Sequence, residues 1–472
     1  MSALNSLSAS QMARLIAGGE ISPVELVETH LSRIEALNPS LNAFVAIDRE
    51  GARAAARRAE SALRHGKRGP LHGVPVTIKS SIDVAGLPCE TGTRLRAGNV
   101  PDLDAPLVAR LKDAGAIVLG NTNVPEMLMA YETDNRLYGR TNSPWALERT
   151  AGGSSGGEAA AIASGCSAAG IGSDGGGSIR VPAHFTGICG LKPTPGRIPG
   201  TGHFPACVGP FAALGVVGPM ARTAADLRLI LGVVAGPDNG DPLSVPVPLG
   251  RFGEDAVRRM RVGYFEDDGH TPVTPETRAA VRRAAKALET DGFEVVPFLP
   301  KDLDRAQILW WRVFGLMSGI VLNPMFADRM ADAHPILQEF LSWVNADSPL
   351  SPELLLETLF ERDQLRASFL NQMESFPLIL SPVCAVPAFR HGERVWKVDG
   401  KEVHYLEAMH YTQWFNLIGN PAAVVPAGQS PEGLPIGVQI IGRPFEEEAV
   451  LAAAEVLDRS IGGWREPPLA KH

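Results

Sequence analysis

Two hydrophobic rhythms share this chain. Residues 74–84 read VPVTIKSSIDV, alternating and β-branched, and predict a strand that carries Lys79 toward the core. Short apolar runs at 116–119, 261–265, 293–296, 377–383, 422–425 and 436–441 predict further strands. Between them the period lengthens to that of helices. Ser22-Pro23-Val24-Glu25 is a helix start, with a serine cap, a proline at the first helical position and a glutamate three residues beyond the cap, and the helix is expected to reach about residue 36. Helices are also predicted over 50–65, with a solvated arginine face, over 105–114, from Pro275 behind a Thr274 cap, over 446–458, and starting at 216–222. The strand-helix-strand order between 258 and 298 argues for an α/β sheet. Residues 303–376 are mostly helical in pattern and rich in large apolar groups, among them Trp310, Trp311, Phe314, Phe340 and Trp343.

Composition narrows the class. With 472 residues and 45% hydrophobic positions the chain can bury a substantial core, and no linker, repeat or low-complexity tract divides it. One domain over 1–472 is expected, with a helical cap at about 303–376. A net charge of −8 without clustered Lys and Arg argues against a nucleic-acid partner. The five cysteines are odd in number and form no CxxC pair, so neither a disulfide framework nor a zinc site is indicated, and no metal or cofactor is expected. The N-terminal segment lacks the cationic, apolar, small-residue order of a secretory signal, and no run approaches eighteen apolar residues. A cytoplasmic protein without a membrane partner, monomeric or homodimeric, is expected.

The candidate chemistry lies between Gly152 and Ile198. Two serine-bearing glycine loops, Gly152-Gly153-Ser154-Ser155-Gly156-Gly157 and Gly175-Gly176-Gly177-Ser178, are joined by an Ala-rich segment that predicts a helix leading into a strand. Glycines let a backbone aim consecutive N–H groups at one point, which suits an oxyanion hole. Gly152-x-Ser154-x-Gly156 also satisfies the nucleophile elbow of α/β-hydrolase esterases, but residues 142–151 contain Ser-Pro and little alternation where that motif needs a strand. Neither loop ends in the Gly-Lys-Ser/Thr of a phosphate-binding loop.

The long motif, with Lys79 in a Gly73-x-Pro75-x-x-x-Lys79 setting, 75 residues from Lys79 to Ser154 and 24 from Ser154 to Ser178, resembles the amidase signature family of serine hydrolases. The resemblance covers most of the chain to about residue 455, with the signature core at about 70–225. It implies an α/β/α sandwich around a large mixed, mostly parallel sheet, and hydrolysis of carboxylic amides, with esters and carbamates or urethanes as related substrates, through an acyl-enzyme. By that resemblance Ser178 is the nucleophile, Ser154 the relay after a cis peptide bond and also a substrate contact, and Lys79 the base. Backbone N–H groups of Gly175, Gly176, Gly177 and Ser178 would hold the oxyanion, although Gly175 stands where the family often has Ile, Val or Thr. Ser155, Asp174 and Arg180 would be structural, and Leu128, Met129 and Tyr131 would contact substrate, as the matching segment does in fatty acid amide hydrolase. The lysine mechanism leaves His203 no necessary role. The nearest rival is a glutamine-hydrolysing amidotransferase A-type subunit, whose Asp-Glu-Phe-Ala-Met stretch is replaced here by Glu126-Met-Leu-Met-Ala130.

Overall fold

Strands that begin near opposite ends of the chain meet in one sheet. The structure, a computed structural model, describes residues 2–65, 68–250 and 252–471. Its main sheet has eleven strands: β1 (Phe44–Ile47), β2 (Pro75–Lys79), β3 (Ile117–Thr122), β4 (Ala169–Asp174), β5 (Cys189–Lys192), β6 (Val216–Ala221), β7 (Arg261–Tyr264), β8 (Glu294–Pro297), β9 (Leu378–Pro382), β10 (Ala422–Gln429) and β11 (Pro435–Ile441). They lie in the order β1-β3-β2-β4-β6-β5-β10-β11-β9-β7-β8.

The sheet is mixed, but the expectation that it is mostly parallel is corrected: of its ten neighbouring pairs, four are parallel and six antiparallel. Parallel pairs need a crossover, and helices supply one between β2 and β3 (Pro106–Asp113) and between β7 and β8 (Pro275–Thr290). Antiparallel neighbours need no such helix. The turn after Gln429 folds β11 back on β10, and the long link from β5 to β6, residues 193–215, holds only the short 3-10 turn Gly209–Ala213.

Both faces of the sheet are covered. Along β9, Leu378 and Leu380 join one core with Leu227, Val281 and Val450, while Ile379 joins a second with Val181, Trp310 and Phe415. Along β10, Ala423 and Val425 go to the first core, Ala422 and Val424 to the second. Such strands lose the polar-apolar alternation of a half-exposed sheet, which is why β2, β3 and β4 are buried at every position.

Several boundaries shift. The strand expected over 74–84 stops at Lys79, because Ile82 N–H returns to the Lys79 carbonyl at 3.0 Å and turns the chain. The helix expected at 216–222 is strand β6, and the helix (Ala224–Val234) starts three residues past that strand behind Thr223, whose hydroxyl accepts from Asp226 N–H at 3.2 Å. Pro219 is tolerated because β5 pairs only with Met220 and Ala221, so that ladder ends before reaching it. The helix from Pro23 runs on to Leu41. Residues 303–376 are helical, in segments Leu303–Trp310, a π-helical turn Trp311–Leu316, Met317–Phe326, Pro335–Ala346 and Pro352–Gln372. Among the described residues, one helical stretch, Leu303–Phe326, is long and apolar enough to cross a membrane by length and composition, and half of its most apolar window is buried in the protein.

One buried ion pair ties the C-terminal helix (Glu447–Ile461) to the chain after β5. Arg197 Nε donates to Glu447 at 2.9 Å, its other nitrogens reach the carbonyls of Val247 and Phe445, and Thr194 N–H donates to the same carboxylate at 2.8 Å. Removing one partner leaves the other charged and dry, which costs about 3–5 kcal/mol. Arg197→Ala should therefore lower the thermal unfolding midpoint markedly, and Glu447→Gln, which keeps the acceptor, should lower it less; equal midpoints for Arg197→Ala and wild type would contradict this.

Candidate active site

Lys79 and Asp174 end β2 and β4, adjacent parallel strands, so their side chains come together where the sheet's carboxyl ends open. The first glycine loop runs into a helix (Gly156–Ala163), and the second lies between β4 and a helix (Arg180–Thr186). Lys79 is fully buried, and its amine lies 2.7 Å from Ser154 Oγ, 2.9 Å from Ser155 Oγ, 2.9 Å from Ser173 Oγ and 3.3 Å from the Ser173 carbonyl. Burial pushes its pKa down to about 7, against the opposing pull of Asp174, Glu158 and Cys207.

Ser154 is buried and follows a cis Gly153–Ser154 peptide bond. Ser178 is partly exposed, and among the described residues no hydrogen bond links its hydroxyl to Ser154; the loops are joined instead by Ser155 N–H donating to the Ser178 carbonyl at 3.2 Å. Asp174 shapes the second loop. Its carboxylate accepts from the N–H groups of Gly177 (2.6 Å) and Ile179 (3.1 Å) and from Arg180 Nε and Nη2 (both 3.0 Å). Although burial alone would raise its pKa, Arg180 holds the carboxyl well below the usual range. Gly177 has a φ of +129°, and a Cβ there would strike Thr412, so glycine is required. Its N–H is already given to Asp174. The amides of Gly175, Gly176 and Ser178 have no such partner among the described residues.

Ser154 and Ser178 open on a cavity of about 350 Å³ walled by Leu128, Met129, Phe204, Phe211, Phe314 and Met325, among others. A smaller cavity of about 30 Å³ is bordered by Tyr131 together with Leu128, Met129 and Ser178, and the Tyr131 hydroxyl donates to the Gly176 carbonyl at 2.9 Å, bracing the loop. The cap braces it too: Trp310 Nε1 donates to the Gly175 carbonyl at 3.0 Å, and the ring of Phe314 fills the space a side chain at Gly175 would need.

Three further residues reach this neighbourhood, two of them not singled out by the sequence and the third, His203, given no necessary role there. Ser173 adds a third hydroxyl at Lys79. His203 reaches Ser173 Oγ at 2.9 Å, and burial followed by the nearby Lys79 holds its pKa down to about 4. Glu158 is wholly buried one turn into the first helix. Only Glu158 adjoins a glycine loop; Ser173 and His203 carry no local pattern.

The sequence of the whole chain settles the lineage. The amidase family model matches residues 25–451. The chain belongs to the amidase signature family. An acylamidase of Rhodococcus erythropolis is 35% identical, covering 96% of this chain and 94% of its own length. The A-type subunit of the glutamyl-tRNA(Gln) amidotransferase from Roseiflexus castenholzii is also 35% identical, over 98% of this chain and 97% of its own. The crystal structure of a bacterial aryl acylamidase superposes with a TM-score of 0.85 at 28% identity, covering 96% of both chains. This amidase is accordingly an amide-hydrolysing enzyme, and the α/β-hydrolase elbow reading falls. The strand before the first loop, Ala146–Thr150, lies outside the main sheet, in a two-stranded ribbon with a bridge to Arg390, and so does not run from the sheet into the loop.

Burial decides the state of Glu158. Its two oxygens accept from hydroxyls, one from Thr77 in a short contact and the other from Thr122 at 2.7 Å. Both bonds favour the carboxylate, yet burial outweighs them and pushes the pKa up to about 8. Because the folded state holds the carboxyl proton more tightly than the unfolded chain, Glu158 makes stability fall as pH rises from about 4.5 to about 8. Glu158→Gln, which supplies the same donor and acceptor, should fold normally, keep most activity and lose that part of the pH slope in denaturation curves. A collapse of stability in Glu158→Gln at neutral pH would show that the carboxyl is ionised.

Proposed function

We propose that this amidase cleaves carboxylic amide bonds of hydrophobic or aryl substrates through an acyl-enzyme on Ser178, with Ser154 as relay and Lys79 as base. The observation that carries the reading is the buried Lys79 amine 2.7 Å from Ser154 Oγ, at the foot of an apolar cavity onto which Ser178 opens. An uncharged amine has a lone pair to receive a proton, and burial is what makes that state accessible near neutral pH. Ser178 Oγ attacks the carbonyl carbon while its proton passes to Ser154 and the Ser154 proton to Lys79. The carbonyl oxygen, now negative, is met by the free amides of Gly175, Gly176 and Ser178, with Gly177 excluded by its bond to Asp174. Collapse expels the amine, which takes its proton back along the same path, and water then releases the acid by the reverse sequence.

Esters and carbamates present the same carbonyl and fall within this scheme. The cavity walls favour an apolar substrate over glutamine. Of the lining side chains only Asp174 is charged, and Arg180 already engages it, so nothing there is free to pair with the ammonium and carboxylate of an amino acid. The chain is read as acting alone, without a cofactor, in the cytoplasm and as a monomer or homodimer.

Purified enzyme should hydrolyse a hydrophobic anilide with no other protein added; turnover of glutamine alone, and only with a partner protein, would establish the amidotransferase reading instead. A serine-directed fluorophosphonate should label Ser178. Since Lys79 must lose its proton to act, kcat/KM should rise with pH through about 7 and level off above it. Lys79→Ala and Ser178→Ala should each remove most amide turnover, and Ser154→Ala less, because water can partly replace a relay hydroxyl. The ester-to-amide rate ratio should increase in Lys79→Ala, since an amine leaving group needs protonation far more than an alkoxide. Near-normal amide turnover in Lys79→Ala with an unchanged pH profile would remove the lysine from the mechanism.

A further inference from the structure

A neutral lysine amine has two protons and one lone pair, yet four oxygens surround Lys79. Which of them receives the lone pair decides whether Lys79 can serve as base toward Ser154. Ser155 Oγ is within reach of the Ser173 carbonyl at 3.3 Å, an oxygen that can only accept, so the Ser155 proton goes there and its oxygen faces Lys79 as an acceptor. Ser173 Oγ has one neighbour besides Lys79, His203 Nε2 at 2.9 Å. The tautomer of His203 is set on its other side. Nδ1 lies 2.8 Å from the Pro205 carbonyl, an oxygen without a proton, so Nδ1 carries the hydrogen and Nε2 is bare. Ser173 must then donate to His203 and accept from Lys79. Ser81 Oγ, at 3.2 Å from the same nitrogen, is the more distant of the two hydroxyls. With both amine protons committed to Ser155 and Ser173, the lone pair is left for the Ser154 hydroxyl.

We propose that His203 is a positioning residue of the amidase reaction: through Ser173 it fixes the direction of the Lys79 amine so that its lone pair meets the Ser154 proton. This rests on Lys79 acting as the base. Without an acceptor at Nε2, the Ser173 hydroxyl turns and donates to Lys79, competing with Ser154 for the one lone pair. The backbone around His203 is held independently, by His203 N–H to the Gly200 carbonyl (3.0 Å) and Phe204 N–H to the Ser81 carbonyl (2.8 Å), so side-chain changes there need not unfold the loop.

Two amide-bearing variants separate positioning from loop support. In His203→Asn the side chain reaches the place of Nδ1 and keeps a donor for Pro205, but leaves Ser173 without an acceptor. In His203→Gln the amide oxygen reaches the place of Nε2. For anilide hydrolysis, kcat/KM should fall about 10- to 100-fold in His203→Asn, by analogy with the loss of a hydrogen-bond partner that orients a metal ligand. His203→Gln should recover most of it. The double variant Ser173→Ala with His203→Asn should be no slower than Ser173→Ala alone, because His203 acts only through that hydroxyl. Wild-type rates in His203→Asn, a faster Asn than Gln variant, or a double variant that loses the product of the two single losses would each overturn the proposal. Lys79→Ala measured alongside keeps the two readings apart. Near-normal turnover there removes the base assignment itself, whereas an inactive Lys79→Ala with equal Asn and Gln variants removes only the role of His203.

Discussion

An amine whose pKa burial brings down to about 7 must not meet a free counter-ion, and much of this site is arranged around that requirement. Asp174 lies close enough to favour the ammonium form of Lys79, but its carboxylate is occupied by Arg180 and by two loop amides. Glu158, the other nearby acid, has its pKa pushed up to about 8 by burial and so has little charge to offer at neutral pH. What remains around the amine is a ring of hydroxyls, which can reverse their hydrogen bonds as a proton comes and goes without any heavy atom moving. Desolvation lowers the lysine pKa by more than the nearby Asp174, Glu158 and Cys207 raise it.

The cap and the nucleophile loop are parts of one packing unit. Phe314 stacks on Trp310 with ring centroids 4.7 Å apart, and the two rings lie against Gly175 and Gly176 while the Trp310 indole holds the Gly175 carbonyl. The first glycine of the loop, Gly175, unusual for the resemblance, has its explanation here: the space for a side chain at 175 is taken by an aromatic ring that also walls the cavity. The cavity wall and the backbone of the loop are therefore shaped by the same pair of stacked rings.

How much of this is legible in the sequence depends on range. The glycine loops, the lysine strand and their spacings are local or periodic signals, and the structure brings Lys79 and Ser154 together as those spacings imply, with Ser178 on the adjoining loop. Strand direction is not legible, because it depends on which connections are helices and which are bare turns, and the alternation at 258–298 represents only the parallel part. The strand at 216–221 reads as helical because Pro219 suits a helix start, and only the short reach of β5 makes it acceptable in a sheet. Analogy along its segment brings Tyr131 to the site, but the bond from its hydroxyl to the Gly176 carbonyl is not legible in the sequence. Ser173 and His203 acquire their roles from contacts across the fold, the second through a loop with no motif of its own.

The strand order also bears on how the chain is made. Strands β1 to β6 lie side by side, as do β7 to β9, and the two groups meet only through the hairpin of β10 and β11, residues 422–441. Residues 422–441 therefore leave the ribosome only after both part-sheets have emerged. Until then the two part-sheets expose unpaired β5 and β9 edges lined with Leu191, Leu378 and Ile379, a template for association between nascent chains. Closing those two edges is thus a task left to a single hairpin.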